Sequence, residues 1–210
     1  MLYSALNKTV DQLLQEFEGI PSERKQVLHQ LADLIRNTLE EGQPVNLNFI
    51  CTHNSRRSHM AQLWAQAAAH YYDLAGVHCF SGGTEATAFN ALAIQAMRDA
   101  GFTIVGISDG DNPRYEVRFT DEAPSIISFS KRYDDSANVR ERFVAIMTCS
   151  HADENCPLIA GADARIVVSY DDPKSADGSP SEAAVYRDSV RRIGREVLYA
   201  FSFGDRHLRR

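Results

Sequence analysis

The sequence has few long apolar runs and few cysteines. None of its apolar stretches approaches the roughly 20 residues needed to cross a bilayer, and polar residues stand where a secretion signal has its apolar core. We therefore expect a cytoplasmic protein with no membrane partner. Four cysteines in 210 residues are too sparse for a disulfide-stapled scaffold, so thiols are expected at rest.

Basic charge is also scarce. The net charge of −6 and the pI of about 5.6 argue against a nucleic-acid partner, because a polyanion needs a broad basic face. No His/Cys spacing is typical of a zinc site, and there is no glycine-rich dinucleotide fingerprint. We expect neither a metal nor an organic cofactor. The sequence is still compatible with a small anionic substrate, since a few local donors can bind one whatever the net charge.

The first 43 residues predict a helical extension. Apolar residues recur at helical spacing over residues 4–18, before Gly19, and again from Pro21 to about residue 41, before Gly42. We interpret the two helices as a hairpin. It either covers the main domain or forms a homodimer contact, and the sequence does not choose between these alternatives.

Residues 44–210 alternate between strand and helix patterns. Strands are predicted at residues 45–50, 77–81, 143–148 and 165–170, and helices at residues 58–72, 91–100 and 181–201. This order predicts an α/β domain with a doubly wound, parallel, four-stranded sheet and helices on both faces. Residues 109–142 interrupt the alternation, and we interpret them as an insertion with an extra strand at residues 125–130.

The chemistry is concentrated between the first predicted strand and the helix after it. Cys51 is followed six residues later by Arg57 and then by Ser58. Backbone N–H groups of such a loop, with the positive end of the helix, stabilise an oxyanion. The Arg57 fork is suited to grip two of its oxygens. The same field favours the thiolate of Cys51, the nucleophilic form, and Ser58 is placed to donate to its sulfur.

Other residues of this loop are predicted to bind the substrate. These residues are Thr52, His53, Asn54, Ser55, Arg56 and Ser58.

At this point the sequence resembles the low-molecular-weight protein tyrosine phosphatases and the thioredoxin-coupled arsenate reductases built on the same fold. The likeness covers about residues 46–201. It rests on residues 49–61, on residues 80–86 followed by Asn90, and on Asp171-Asp172-Pro173. The resemblance implies that Asp172 is the general acid. Without the cysteine loop, an aspartate before proline would be an ordinary turn residue.

Residues 149–157 resemble the redox segment of the arsenate reductases. Cys149 and Cys156 lie seven positions apart, directly after a predicted buried strand. The resemblance implies that Cys51 attacks arsenate, that Cys149 releases arsenite by forming a disulfide with Cys51, and that Cys156 then takes over Cys149 for reduction by thioredoxin. Alternatively, both are structural thiols, since free cysteines are often buried. Cys79 is expected in the core.

Several residues depart from the family pattern. His53 stands where glycine is usual, and Arg56 adds a second positive charge where cysteine is frequent. Asn54 and Ser81 fit part of the family's potassium site, but Gln62 replaces an acid, which speaks against potassium dependence. No tyrosine follows Pro173 closely, which favours a small substrate over a protein.

Three functions are compatible with the sequence. The first is a thioredoxin-dependent arsenate reductase. The second is a protein tyrosine phosphatase with a cysteinyl-phosphate intermediate, in which Asp172 protonates the leaving group and then activates water. The third is a binding module whose helical hairpin recognises a partner while the cysteine loop stays idle.

Overall fold

The computed structural model describes residues 1–150, 152 and 158–204. The helices are α1 (Ser4–Leu14), α2 (Ser22–Glu40), α3 (Arg57–Tyr71), α4 (Ala91–Asp99) and α5 (Glu182–Ser202). The strands are β1 (Val45–Cys51), β2 (Val77–Gly83), β3 (Thr103–Gly106), β4 (Tyr115–Arg118), β5 (Ile126–Ser128), β6 (Phe143–Met147) and β7 (Ala162–Val167). In the described part of the chain, no helix has the length and apolarity needed to cross a bilayer.

The main sheet has the strand order β2-β1-β6-β7, and all its neighbours are parallel. Cys51 pairs with Gly83, and Ile50 pairs with Met147. The carboxyl ends of β1, β2 and β6 therefore meet at one edge, where α/β proteins place their ligand sites. The predicted α/β fold with a four-stranded parallel sheet is confirmed.

The two faces of the main sheet contact different apolar clusters. Leu47 and Phe49 of β1 belong to the large cluster that includes buried residues of all five helices. Ile50, one residue further on, belongs to a second cluster with Met147 and Ile159. This separation follows from the two-residue period of a strand, which sends alternate side chains to opposite faces.

The N-terminal helices pack against α5, and α2 also contacts β1 and β7. Leu6 of α1 and Leu28 and Ile35 of α2 are fully buried in the large cluster. The helices thus cover the α/β domain and share its core, which is the first of the two alternatives drawn from the sequence. A homodimer through these helices stays a prediction.

A second, three-stranded antiparallel sheet contains β3, β4 and β5. The predicted strand at residues 125–130 corresponds to β5, whereas β3 and β4 were not predicted. Each has four residues, of which two are large and apolar, whereas the predicted segment 125–130 contains three large apolar residues. Val117 pairs with Ile104 and Ile126 and is fully buried.

The contact between α3 and α5 is unusually close at Gly194. A Cβ atom at this position would lie 2.5 Å from Cε2 of Trp64, which is fully buried. The indole also packs edge-on against Phe102, with ring centroids 5.2 Å apart. The side chain of Trp64 therefore has little room to move away.

We expect Gly194→Ala to destabilise the protein by about 1–3 kcal/mol, as overpacking does, although alanine normally stabilises a helix interior relative to glycine. Urea denaturation measures the free energy of unfolding. Asp188→Ala, at an exposed position of the same helix, is the control and should change stability little. Stabilisation by Gly194→Ala would show that the indole moves freely.

Candidate active site

The loop from Cys51 to Ser58, here called the cysteine loop, connects β1 to α3. Three backbone N–H groups from the segment after β2 donate to its carbonyls: Thr84 to Cys51 (3.1 Å), Glu85 to Thr52 (2.8 Å) and Asn90 to Ser55 (2.9 Å). These three carbonyls are hydrogen-bonded to groups outside the loop. This arrangement is typical of an anion site, in which the backbone N–H groups of the loop bind the anion.

Gly83 permits this close approach. A Cβ atom there would lie 2.2 Å from the carbonyl oxygen of Glu85 and 2.7 Å from the backbone nitrogen of Asn54. Gly83 of the family-like motif therefore has a steric explanation, because any side chain would push the two segments apart. Its neighbour Gly82 faces a different segment, where a Cβ atom would lie 2.3 Å from Cα of Tyr133.

A chain of hydrogen bonds ends at the sulfur of Cys51. The N–H of Lys131 donates to Oδ1 of Asn54 (2.9 Å), which orients the amide so that Nδ2 donates to Oγ of Ser58 (2.8 Å). Since that oxygen already accepts a bond, the hydroxyl hydrogen of Ser58 is available to Sγ of Cys51, 3.1 Å away. This geometry agrees with the expected role of Ser58. Asn54 has a φ of 43°, a left-handed conformation that asparagine tolerates.

Arg57 and Asp172 meet at the mouth of the loop. Nη2 of Arg57 donates to Oδ2 of Asp172 (2.7 Å), and Nη1 donates to the carbonyl of Tyr170 (3.1 Å). Oδ1 of Asp172 accepts from the N–H of Lys174 (3.1 Å) and so caps the short 3-10 helix Pro173–Ala176. Nε of Arg57 is buried and has no hydrogen-bond partner among the described residues. It is a donor that a bound oxyanion can use.

Arg56 is tied to carboxylates and a phenol. Its Nε donates to the Tyr186 hydroxyl (2.8 Å), its Nη2 lies 3.5 Å from Asp177, and its Nε lies 4.0 Å from Asp172. The Tyr186 hydroxyl donates to Asp177 (2.8 Å). Burial, and then this bond, raise the pKa of Tyr186 to about 12. The expected second positive charge is therefore present but largely balanced by Asp177 and Asp172.

A small pocket opens at the cysteine loop. It is lined by Cys51, His53, Ser55, Arg56, Arg57 and Asp172. The imidazole of His53 is half exposed and lies 3.6 Å from the carboxylate of Glu85. Its carbonyl accepts from the hydroxyl of Ser130 (2.8 Å). Apart from the histidine ring, no aromatic side chain is among these lining residues.

Cys149 lies beside the cysteine loop. Its side chain is buried in the same apolar cluster as Cys51. The hydroxyl of Thr52 lies 3.6 Å from Sγ of Cys149, and the N–H of Ala152 donates to the same sulfur (3.4 Å). A Cys149 thiolate therefore has two neighbouring donors. Cys156, the third predicted cysteine, lies outside the described residues.

The other predicted thiol is in the core, as expected. Cys79 is buried, and this burial raises the pKa of its thiol. It is therefore an unreactive side chain rather than a nucleophile.

Two buried basic residues behind the loop escaped the sequence analysis. His59 is fully buried and stacks on Phe89, with ring centroids 4.1 Å apart. Burial, and then the charge of Lys131, lower the pKa of His59 well below its usual value. Lys131 is 5% exposed, and its ammonium group lies 4.9 Å from the ring centroid of Phe129. It belongs to the insertion and to no local motif, so the sequence offered no signal for it.

The carboxylates, thiols and imidazoles of the described residues do not gather into a metal site. Within residues 1–150, 152 and 158–204, no group of three or more His, Cys, Asp or Glu side chains is arranged to hold an ion.

The sequence is similar to curated arsenate reductases over most of their length. It is 30% identical over 150 residues to an arsenate reductase of Bacillus licheniformis, in a match that spans 71% of this chain and 89% of that protein. The chain belongs to the arsenate reductase family. An arsenate reductase of Halalkalibacterium halodurans is 26% identical over 151 residues, again spanning 71% and 89% of the two proteins. No protein-family model matches the chain.

This arsenate reductase family member has the low-molecular-weight phosphatase fold, as the resemblance of its motifs predicted. A crystal structure of a low-molecular-weight phosphotyrosine phosphatase from Vibrio cholerae O395 covers 74% of this chain and 93% of its own, with a TM-score of 0.51 and 12% identity. That likeness shows the fold. As a member of the arsenate reductase family, the protein is an enzyme.

The Ser58 hydroxyl predicts a measurable activation of Cys51. In Ser58→Ala we expect alkylation of Cys51 by iodoacetamide at neutral pH to slow roughly three- to tenfold, the range of one hydrogen bond. Mass spectrometry of the peptide that contains Cys51 follows the reaction. Ser189→Ala, on α5, is the control. Equal rates for Ser58→Ala and the wild type would contradict the assigned bond.

Lys131 predicts a pH dependence of stability. Burial lowers its pKa from 10.5 to about 8, so between these values the unfolded chain binds more protons than the folded protein. Stability should therefore rise with pH across this window. The free energy of unfolding of wild type minus Lys131→Met, measured at intervals from pH 7 to 10.5, isolates this contribution. The exposed Lys8→Met is the control, and a flat difference would refute the assignment.

Proposed function

We propose that this protein is an arsenate reductase that uses Cys51, Cys149 and Cys156 in a disulfide relay regenerated by thioredoxin. The observation that carries the proposal is Cys149, a second thiol buried in one cluster with Cys51 and approached by the Thr52 hydroxyl and the Ala152 N–H. A hydrolytic enzyme needs no such thiol, whereas a reductase needs one next to its nucleophile.

In the first step, the Cys51 thiolate attacks arsenic and forms a sulfur–arsenic bond. One arsenic–oxygen bond breaks, and the oxygen leaves as water after Asp172 supplies a proton. The free Nε of Arg57 and the N–H groups of the cysteine loop bind the remaining oxygens. The hydrogen bond from Arg57 to Asp172 (2.7 Å) supports this assignment, because it places the acid and the guanidinium together at the mouth of the cysteine loop.

In the second step, the Cys149 thiolate attacks the sulfur of Cys51. A disulfide forms, the sulfur–arsenic bond breaks, and its electron pair stays with arsenic, which leaves as arsenite. The Cys156 thiolate then attacks Cys149 and releases Cys51 as a thiolate. The dithiol of thioredoxin reduces the resulting disulfide with two electrons. The role of Cys156 is proposed from the sequence, and the cycle fits a reducing compartment such as the cytoplasm.

The pocket favours a small oxyanion. In the part of the chain that the structure describes, its lining consists of the nucleophile and polar or charged side chains, without an apolar slot for a phenyl ring. Arsenate needs only donors for its oxygens. Phosphotyrosine, by contrast, needs an apolar surface for its ring.

A phosphatase is the second candidate. The bond between Asp172 and Arg57 favours it equally, because an acid at the loop mouth serves hydrolysis of a phosphate ester as well. In that case water takes the place of Cys149, and the thiol of Cys149 has a structural role.

Cys149→Ser separates the two candidates. We expect the variant to lose arsenate-dependent NADPH oxidation, measured with thioredoxin and thioredoxin reductase, because no thiol can displace arsenite. Cys156→Ser should also stop multiple turnover, whereas Cys79→Ser, which removes a core thiol, is the control and should retain it. If Cys149→Ser hydrolyses aryl phosphates like the wild type, and neither protein reduces arsenate, the protein is a phosphatase.

A further inference from the structure

We propose that the N-terminal extension takes part in the reaction through Arg24, a positioning residue that holds Tyr170 and thereby aligns Arg57 and Asp172. The inference rests on the proposed roles of Arg57 and Asp172. It assigns a function to α2 beyond covering the core.

Arg24 lies in the first turn of α2 and is paired with a buried acid. Its Nε and Nη2 are both 2.7 Å from Oε2 of Glu196 on α5. The side chain of Glu196 is 1% exposed, and that of Arg24 is 16% exposed. A carboxylate at this depth requires a cation. The pair therefore fixes the guanidinium of Arg24 on the surface of α5.

The fixed guanidinium lies over a ring of the site. Cζ of Arg24 is 4.7 Å from the ring centroid of Tyr170, which is 7% exposed. Cζ of Arg192 lies 5.9 Å from the same centroid. A planar cation over an aromatic face is a favourable contact, and arginine makes it better than lysine. Tyr170 is thus held by a residue of the extension.

Tyr170 is directly connected to the proposed chemistry. Its carbonyl accepts from Nη1 of Arg57 (3.1 Å), and two residues later Asp172 accepts from Nη2 (2.7 Å). A displacement of Tyr170 would therefore turn the guanidinium of Arg57 and shift the carboxyl of Asp172 together. Between them, Asp171 contacts Arg192 (3.3 Å).

Tyr170 and Asp177 are the two ends of one segment, and its Asp177 end is held without the N-terminal extension. Asp177 accepts from Tyr186 of α5 (2.8 Å) and lies 3.5 Å from Arg56 of the cysteine loop. The residues from Tyr170 to Asp177 are thus anchored at both ends. Only the end nearer to the proposed acid depends on α2.

The chemistry of the pair favours positioning over packing alone. A buried ion pair is often no more stabilising than apolar residues of similar size, because desolvation offsets the attraction. Apolar side chains would therefore join α2 to α5 as well. They would not place a planar cation on Tyr170.

The test replaces both charges, since removing one would leave the other buried and unpaired. The double variant Arg24→Met/Glu196→Met is compared with the wild type and with Arg36→Met, which removes a surface arginine of the same helix that pairs with Asp33. We expect kcat/KM for arsenate in the thioredoxin-coupled assay to fall about tenfold or more. The melting temperature should stay near that of the wild type, and Arg36→Met should not affect either value.

A mutant cycle with Asp172→Asn distinguishes positioning from general loosening. If Arg24 acts through the acid, most of the loss caused by the double variant disappears in the Asp172→Asn background. Equal losses in both backgrounds, or wild-type kcat/KM in the double variant, would overturn the inference.

Arg24→Lys provides a second route if the double variant fails to fold. It keeps a cation for Glu196 but loses the planar contact with Tyr170, so we expect a smaller drop in kcat/KM that again depends on Asp172. A wild-type rate for Arg24→Lys would overturn the inference while the proposed function stands. A wild-type protein that does not turn over arsenate would refute the proposed function, and the inference with it.

Discussion

The cysteine loop keeps its shape because its carbonyls are bonded from outside by the segment after β2. That segment reaches them because β1 and β2 are parallel and paired up to Cys51 and Gly83, and because Gly83 has no side chain to hold them apart. The anion polarity of the loop depends on this contact, and the N–H of Lys131 separately orients Asn54 towards Ser58. A small change in the register of the two strands would remove the three bonds to the loop carbonyls together.

The functional groups are assembled from three directions around this loop. The strand edge supplies Cys51 and Cys149 to a common apolar cluster. Helix α3 supplies Arg57, its first residue, whose orientation is set by Tyr170 and Asp172. Lys131, from the insertion, sets Asn54 through its N–H. Residues 109–142, which we interpret as an insertion, thus support the cysteine loop, although none of them is among the residues that line the pocket.

The sequence was most informative where the chemistry is local. Cys51, Arg57 and Ser58 lie within eight residues, and their relative placement is determined by β1, which ends at Cys51, and by α3, which begins at Arg57. The role of Asp172 was predicted through a family resemblance and stays a prediction, since an Asp-Pro dipeptide alone indicates only a turn. The contacts of Arg56 with Tyr186 and Asp177, and of Arg24 with Glu196, join distant segments, and no local pattern encodes them. Strands β3 and β4 were not predicted because each has only two large apolar residues, whereas the segment that contains β5 has three.

The main sheet separates two apolar compartments. All five helices contribute to one of them, whereas Cys51 and Cys149 belong to the other, smaller one. The disulfide exchange that we propose therefore belongs to the smaller cluster and changes contacts that the buried residues of these helices do not share. For this molecule, oxidation of the proposed relay and unfolding of the larger core are thus expected as separate events.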